Sequence, residues 1–463
     1  MCGCFRANSS LKSKPLVWAK LQLGLVYQNG ELRPSWSLAQ TGMKSILFLV
    51  FLLTVIGCSP ARRMSRELQT SPTYTDHFTG VALYDPGQKR ALIQHNADKP
   101  FTPASNTKLF SFYAGLLSLH DSLPTLRYIT RNDSLIFWGT GNPLLLHPDL
   151  PDTTALAFLR SRPERLFFSP ANYTGPRFGP GWAWDDYNDD YSAELAPLPV
   201  YGNVVRFSAG KTSPARFTDS THTVADAPGG VYRTEFGNQF VRPANDKVKR
   251  QDVPFRWSGE LAAQLLADTL HRAVGVVKMP IVANARLLRG SSTDSLYKRM
   301  LFVSDNQFAE QVLFMASTEH STGPLDPLAE LRRTADSLQH TTTFKGSARW
   351  VDGSGLSRYN QFTPNVLIDL LSRIYARVPQ QRLFALLPAA GQSGTLKSLD
   401  MKGKPYVFAK SGSMTGVYNL SGYVLTKRNR LLYFSIMHNN FTQTVSEMRR
   451  RTAELLKEVH ERF

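Results

Sequence analysis

The hydrophobic pattern of this 463-residue chain changes period twice, and that change restricts the fold more than any other feature. Leu109, Phe112, Tyr113, Leu116 and Leu117 recur at helical spacing, with Pro103 just upstream, where a helix start tolerates it. From about residue 122 to 255 short alternating segments replace that spacing, 134–138 among them, broken by Gly, Pro, Asn and Asp. Helical spacing returns over 260–274, 296–315, 325–338 and 365–376. Strand-like segments stand at both ends: 80–84 and 91–94 flank the turn signal Asp85-Pro86-Gly87, while 406–409, 418–425 and 430–437 run consecutively, the last two joined at Lys427-Arg428-Asn429. A final helix is predicted with Val445, Met448, Leu455 and Val459 on one face. The pattern predicts one α/β domain, residues 76–121 and 256–463, interrupted by a mostly β inserted domain at 122–255.

Composition narrows the chemistry. With 42% hydrophobic and 11% aromatic residues the chain can bury a substantial core, which excludes wholesale disorder. The three cysteines, Cys2, Cys4 and Cys58, all precede the folded body and exclude a disulfide framework or thiolate metal cluster within it. The ten histidines are scattered and no HExxH occurs, so no metal and no cofactor are expected. A formal charge of +18 suits an acidic partner such as nucleic acid, anionic lipid or cell-wall polymer. Because the basic residues scatter, without aromatic interleaving or zinc-finger spacing, nucleic acid is not the expected partner.

Met43-Lys44 opens an export signal: an unbroken apolar run follows over 46–56, then Gly57 and Cys58. An apolar stretch of about 7 to 15 residues behind a positive start is too short to act as a spanning helix. Val55-Ile56-Gly57-Cys58 resembles the bacterial lipobox, which implies cleavage before Cys58 and a diacylglycerol anchor on it. Residues 1–42 are polar, Pro-bearing and unpatterned, which is odd ahead of such a signal. The expected start is therefore Met43, with 1–42 an extension lacking regular structure, 43–57 the signal peptide and 58–75 a polar tether. The expected location is the cell envelope, at a membrane through Cys58.

Pro103-Ala104-Ser105-Asn106-Thr107-Lys108 places Ser-x-x-Lys at a predicted helix start. Residues i and i+3 share a helix face, so the Lys108 amine can reach the Ser105 hydroxyl, and a desolvated neutral lysine can take its proton. Alone this is weak, since a helix cap followed by a surface lysine reads the same way. Ser304-Asp305-Asn306 and the strand-borne Lys410-Ser411-Gly412 follow in order, and the trio is far more specific than any member. It matches the motif set of penicillin-binding proteins and serine β-lactamases. Ser304 can relay a proton and Asn306 can bind a substrate amide. Lys410 supplies charge that lowers the Lys108 pKa and receives a terminal carboxylate, and Gly412 allows close approach of the strand. The backbone N–H groups of Ser105 and Ser413 would form the oxyanion hole.

More of the chain resembles the D-alanyl-D-alanine carboxypeptidase/endopeptidase family, peptidase family S13 or class C low-molecular-mass penicillin-binding proteins, along nearly all of residues 76–440. The matching stretches are Gly139-Thr140-Gly141-Asn142-Pro143, Gly181-Trp182-Ala183-Trp184-Asp185-Asp186, Ser304-Asp305-Asn306 with Ala309-Glu310, 352–358, Gly394-Thr395-Leu396 and Ser421-Gly422-Tyr423. Asn142 stands where the family usually has Asp, and Ser411 where Thr is usual; the second keeps the hydroxyl. The resemblance implies a transpeptidase fold, an antiparallel sheet flanked by helices with a large insertion. It also implies a pocket for the diaminopimelate side chain of the peptidoglycan stem peptide, lined by Asp186, Tyr191, Arg358 and Met414. A zwitterionic terminus wants one anionic and one cationic partner with apolar walls between. Asp186 as a mere turn residue is the alternative. Trp182 and Trp184 are read as packing under the loop, and Asp352-Gly353-Ser354-Gly355 as a tight turn at the site edge.

These readings imply an exported serine D-Ala-D-Ala carboxypeptidase or D,D-endopeptidase acting on peptidoglycan stem peptides and cross-links through an acyl-enzyme, with β-lactams as inhibitors. The rivals are a β-lactamase or esterase on the same fold and a non-catalytic wall-binding scaffold lipoprotein.

Overall fold

The computed structural model describes residues 25–28, 31–34, 59–225, 229–244, 249–339, 346 and 348–463. Cys58 and the 43–57 segment lie outside them. The chain divides into two units, Met1–Arg62 and Arg63–Phe463. In the first, Leu25–Gln28 pairs antiparallel with Glu31–Pro34, so 1–42 is not free of regular structure as expected. The intervening sequence, Asn29-Gly30, is a strong hairpin signal.

The expected tether is likewise helical, over Pro60–Thr70 and Pro72–Thr75. Met64 and Leu68, one helical turn apart, are fully buried, and Arg451 donates to the Thr73 carbonyl at 2.5 Å. Two well-placed apolar residues outweighed the polar average.

From there the chain forms β1 (Phe78–Asp85), β2 (Arg90–His95), a 3-10 turn at Ala104–Thr107 and helix α1 (Lys108–Ser118). The strands β3 (Ser122–Arg131), β4 (Ser134–Gly139) and β5 (Arg165–Phe168) follow, then α2 (Gly259–Leu270), β6 (Val274–Val276) and β7 (Arg286–Ser292). The last part contains α3 (Thr293–Phe302), α4 (Asn306–His320), α5 (Pro364–Arg377), the strands β8 (Val407–Met414), β9 (Val417–Leu425) and β10 (Leu431–Asn439), and α6 (Val445–Arg462).

The first and last strands make one antiparallel sheet in the order β8-β9-β10-β1-β2. β9 is buried at every position but its last, as a strand covered on both faces must be. On one face α1, α4 and α5 share its core, where Phe110 stacks on Phe362 at 4.2 Å and Tyr423 donates its hydroxyl to the Leu371 carbonyl. On the other, α6 packs Met448 against Tyr418. α1 is buried from Lys108 to Gly115, hydrophobic nearly all round, and is the central helix. This is the α/β arrangement expected.

The second lobe is built on the sheet β6-β5-β4-β3-β7, flanked by two small three-stranded sheets drawn from 204–254. Its apolar core runs from Leu126 through Phe168, Phe207 and Phe255 to Leu265 and Leu270 of α2. Both β6 and β7 are paired into it, so the lobe closes at Ser292, past the 255 at which the pattern placed its end. Hydrophobic period registers helix or strand; it does not register which core a helix serves.

Candidate active site

Ser105 sits on the 3-10 turn, ahead of α1 and not within its first α-helical turn. In a 3-10 turn residues i and i+3 eclipse, which aims Lys108 at Ser105 more directly than an α-helix would. Ala104, one residue earlier, has φ 46, a left-handed conformation that turns the backbone sharply before the serine. β8 lies against this turn. A Cβ on Gly412 would come within 2.4 Å of the Pro103 carbonyl and 3.0 Å of the Ser105 nitrogen, so the glycine admits the strand to the Ser105 backbone.

Lys108 Nζ is fully buried with three polar neighbours. It donates to Asn306 Oδ1 at 2.6 Å and to the Ser354 carbonyl at 2.7 Å, and lies 2.9 Å from Ser105 Oγ. Two of these oxygens can only accept, whereas a hydroxyl can donate. A neutral amine with its two N–H groups on Asn306 and Ser354 therefore turns its lone pair to the Ser105 proton. Burial pushes the Lys108 ammonium down to about 8, against the pull of Asp352, Glu310 and Asp305, which favour charge.

Ser304 and Asn306 come from the junction of α3 and α4. Ser304 has φ 64, and Asp305 between them caps α4 by accepting from Phe308 N at 3.1 Å. Asn306 Nδ2 donates to the Tyr191 carbonyl at 2.9 Å, which fixes its Oδ1 on Lys108. Lys410, also fully buried, donates to Ser304 Oγ at 2.9 Å and to the Ser411 carbonyl at 2.7 Å. Its ammonium is pushed well below the usual range by burial first and by Lys108 second. The Ser411 hydroxyl donates to Thr395 Oγ1 at 2.7 Å.

A cavity of about 550 Å³ opens over this group. Ser105, Ser304, Asn306 and Ser413 line it; the two lysines lie beneath its wall. Asp186, Tyr191, Arg358 and Met414 line the same cavity. Tyr191 donates to Asp186 Oδ1 at 3.0 Å and faces Asp189 at 2.9 Å, while Arg358 donates to the Thr415 carbonyl at 3.0 Å. Burial and the neighbouring Asp185 and Asp189 push the Asp186 carboxyl upward against that hydrogen bond. Trp182 packs beside Phe178 as read, but Trp184 is 74% exposed, because its 3-10 turn buries no residue. Asn142 is bonded within the fold, to the Pro124 carbonyl and from Leu144 N.

The tight turn expected at 352–355 is formed and mostly buried, with Gly355 and Leu356 lining the cavity; its place behind Lys108 is what sequence reasoning missed. It supplies the Ser354 carbonyl, a backbone atom that no motif can encode. Gly355, at φ +83, lies so close to the Ala104 carbonyl that a Cβ would stand 1.9 Å from it. The signal in the sequence was the family-like stretch 352–358 with its two glycines.

The sequence model of the D-Ala-D-Ala carboxypeptidase 3 (S13) family matches residues 61–253 and 243–459. Penicillin-sensitive carboxypeptidase A of Dictyostelium discoideum is 35% identical over 439 residues, covering 77% of this chain and 82% of its own. D-alanyl-D-alanine carboxypeptidase DacB of Haemophilus influenzae is 24% identical over 422 residues, covering 80% and 87%. In fold, the crystal structure of penicillin binding protein 4 (dacB) from Haemophilus influenzae superposes with a TM-score of 0.68 at 22% identity, covering 83% of this chain and 96% of that one. With the family matched along nearly all of the second unit and a relative well above 30% identity, the chain belongs to the D-Ala-D-Ala carboxypeptidase 3 (S13) family.

Proposed function

We propose that the chain is a serine-type D-Ala-D-Ala carboxypeptidase and D,D-endopeptidase of the cell envelope, acting on peptidoglycan stem peptides through a covalent acyl-enzyme on Ser105. Ser105 Oγ attacks the carbonyl between the two D-residues as its proton passes to Lys108. The Ser105 and Ser413 N–H groups hold the oxyanion, and the proton taken by Lys108 is passed through Ser304, bonded to Lys410, to the leaving amine, which leaves Lys108 neutral. Asn306 holds the substrate amide, and Ser411 with Lys410 receives the terminal carboxylate. Water then cleaves the ester with Lys108 again as base. The observation that carries this reading is the set of Lys108 contacts, which leaves one lone pair and one hydroxyl facing each other. A relative named for penicillin sensitivity supports inhibition by β-lactams through the same serine. For the stem peptide, Asp186, Tyr191, Arg358 and Met414 would hold the diaminopimelate side chain, the anion and cation gripping its zwitterionic end.

The test is incubation with a penicillin, followed by peptide mass mapping and by digestion of purified muropeptides. One drug mass on the Ser105 peptide, persisting for minutes, with D-Ala released from muropeptides, is the expected result. Rapid loss of the adduct would make the chain a β-lactamase. An adduct elsewhere would end the Ser105 assignment, and none would leave the scaffold reading.

A further inference from the structure

Two buried carboxylates stand behind Lys108 and take no part in the reaction as described. Glu310, on α4, accepts from Gly353 N at 2.9 Å through one oxygen and from Ser354 N at 2.7 Å through the other. Asp352 accepts from Gly355 N at 2.8 Å and Asn360 Nδ2 at 2.7 Å on Oδ1, and from Ser357 N at 2.7 Å and Trp182 Nε1 at 3.0 Å on Oδ2. Every residue from 353 to 355 is thereby pinned, and Ser111 adds a bond to the Gly353 carbonyl. The carbonyl of Ser354, in the middle of that span, is the one on Lys108.

Burying two like charges near each other is costly: burial, and for Glu310 also the neighbouring Asp352, push both carboxyls upward, and only the N–H donors on both oxygens of each hold them ionised; neutral side chains could hold a turn more cheaply. What neutral side chains cannot do is accept from two adjacent N–H groups with both oxygens: an amide offers one acceptor and turns an N–H₂ at the second donor. Trp182 belongs to the segment that carries Asp186, so the Asp352 carboxylate also joins the cavity wall to the turn. We propose that Glu310 and Asp352 are positioning residues for Lys108: they lock the 353–355 turn so that the Ser354 carbonyl occupies one N–H of the lysine and leaves its lone pair on Ser105. The inference rests on the reading of Ser105 and Lys108 above.

A purely structural pair would change how much active enzyme there is, and a pair acting by charge alone would shift the titration of the base and spare its plateau; a positioning pair shifts the titration and lowers the plateau. The charged groups around Lys108 are Glu310 of α4, Asp352 of the turn, Asp305 at the start of α4 and Lys410 of β8. Glu310 in turn faces Asp352 and Tyr173. The carboxylates favour the lysine's charged form, so removing one makes the ammonium more acidic. Acylation needs the neutral amine, and its acid limb then moves to lower pH while its plateau falls.

The experiment measures the rate of penicillin acylation at Ser105 in the full chain across the titration of the lysine, for wild type, Glu310→Gln and Trp182→Phe. Glu310→Gln is expected to lower the plateau on the order of a hundredfold, as a misplaced catalytic group does, and to shift the acid limb downward. Trp182→Phe removes one donor from Asp352 outside the core of the turn, and is expected to shift the limb the same way by less. A folded Glu310→Gln with an unmoved limb or a spared plateau overturns the inference; should that variant fail to fold, an unmoved limb in Trp182→Phe overturns it instead. A wild-type chain that takes no adduct overturns both this inference and the function it rests on, whereas wild-type acylation with unmoved limbs overturns this one alone.

Discussion

At the scale of single residues, the proposed chemistry turns on the protonation of Lys108. Burial pushes its ammonium down to about 8, so the neutral amine gains as the pH rises through that region. Acylation of Ser105 is therefore expected to rise with pH through about 8 and then level off, which a series of penicillin acylation rates would trace. Lys108→Ala should lower the rate by about 10²- to 10⁴-fold, the range for losing a general base, while the helix propensity of position 108 is kept. Normal acylation in that variant, or in Ser105→Ala, would remove the assignment. Asp186 makes a different prediction. Its carboxyl lies on an open wall and is bonded to Tyr191, so its charge acts through partly screened contacts. Asp186→Ala should cost about 1 to 2 kcal/mol, close to tenfold, in kcat/KM for a diaminopimelate-containing peptide, and leave acylation by a simple penicillin nearly unchanged. Equal losses on both substrates would make Asp186 a support of the fold.

At the scale of elements, the site is a contact between backbones. β8 reaches the Ser105 turn because position 412 lacks a Cβ, and Gly412→Ala would drive the strand from the Pro103 carbonyl by the overlap at 2.4 Å. An overlap of this kind costs about 1 to 3 kcal/mol and displaces Ser413, whose N–H is the second proposed oxyanion donor. The variant is expected to keep its circular dichroism and melt cooperatively while acylating much more slowly; wild-type acylation would show that β8 can yield without moving the oxyanion hole. Such contacts also mark how far the sequence could be read. Helices with an apolar face and strands with alternation were legible, from the first hairpin to α6, because period is a local property. The break between α3 and α4 was not, since helical spacing continues from Leu296 to Met315 while Ser304 alone takes φ 64. The helix at Gln380–Leu386 also escaped, being short, with a proline as its cap residue and no side-chain cap. Of the site, the side chains in motifs were legible; the Ser354 carbonyl and its carboxylate supports were not, because they act through backbone geometry set by residues far apart in sequence.

At the scale of the whole molecule, the question is what holds the enzyme beside its polymer. No helix among the described residues is long and apolar enough to cross a membrane, and the proposed point of attachment is Cys58, at the end of the apolar run over 46–56. A single acyl chain binds a bilayer marginally, whereas a lipidated cysteine carrying more than one chain is held stably. If Cys58 is that residue, the mature N-terminal peptide should carry a diacylglyceryl mass on its cysteine, and the chain should partition into the detergent phase on phase separation. Cys58→Ala should show neither the mass nor cleavage at that position. Acylation of Ser105 by penicillin should proceed at the wild-type rate in the variant, because every group placed in the reaction lies between Ser105 and Ser413 in sequence. Detergent partitioning by a wild-type chain whose N-terminal peptide bears no lipid, or begins elsewhere than Cys58, would transfer the attachment to another part of the chain and end the lipobox reading.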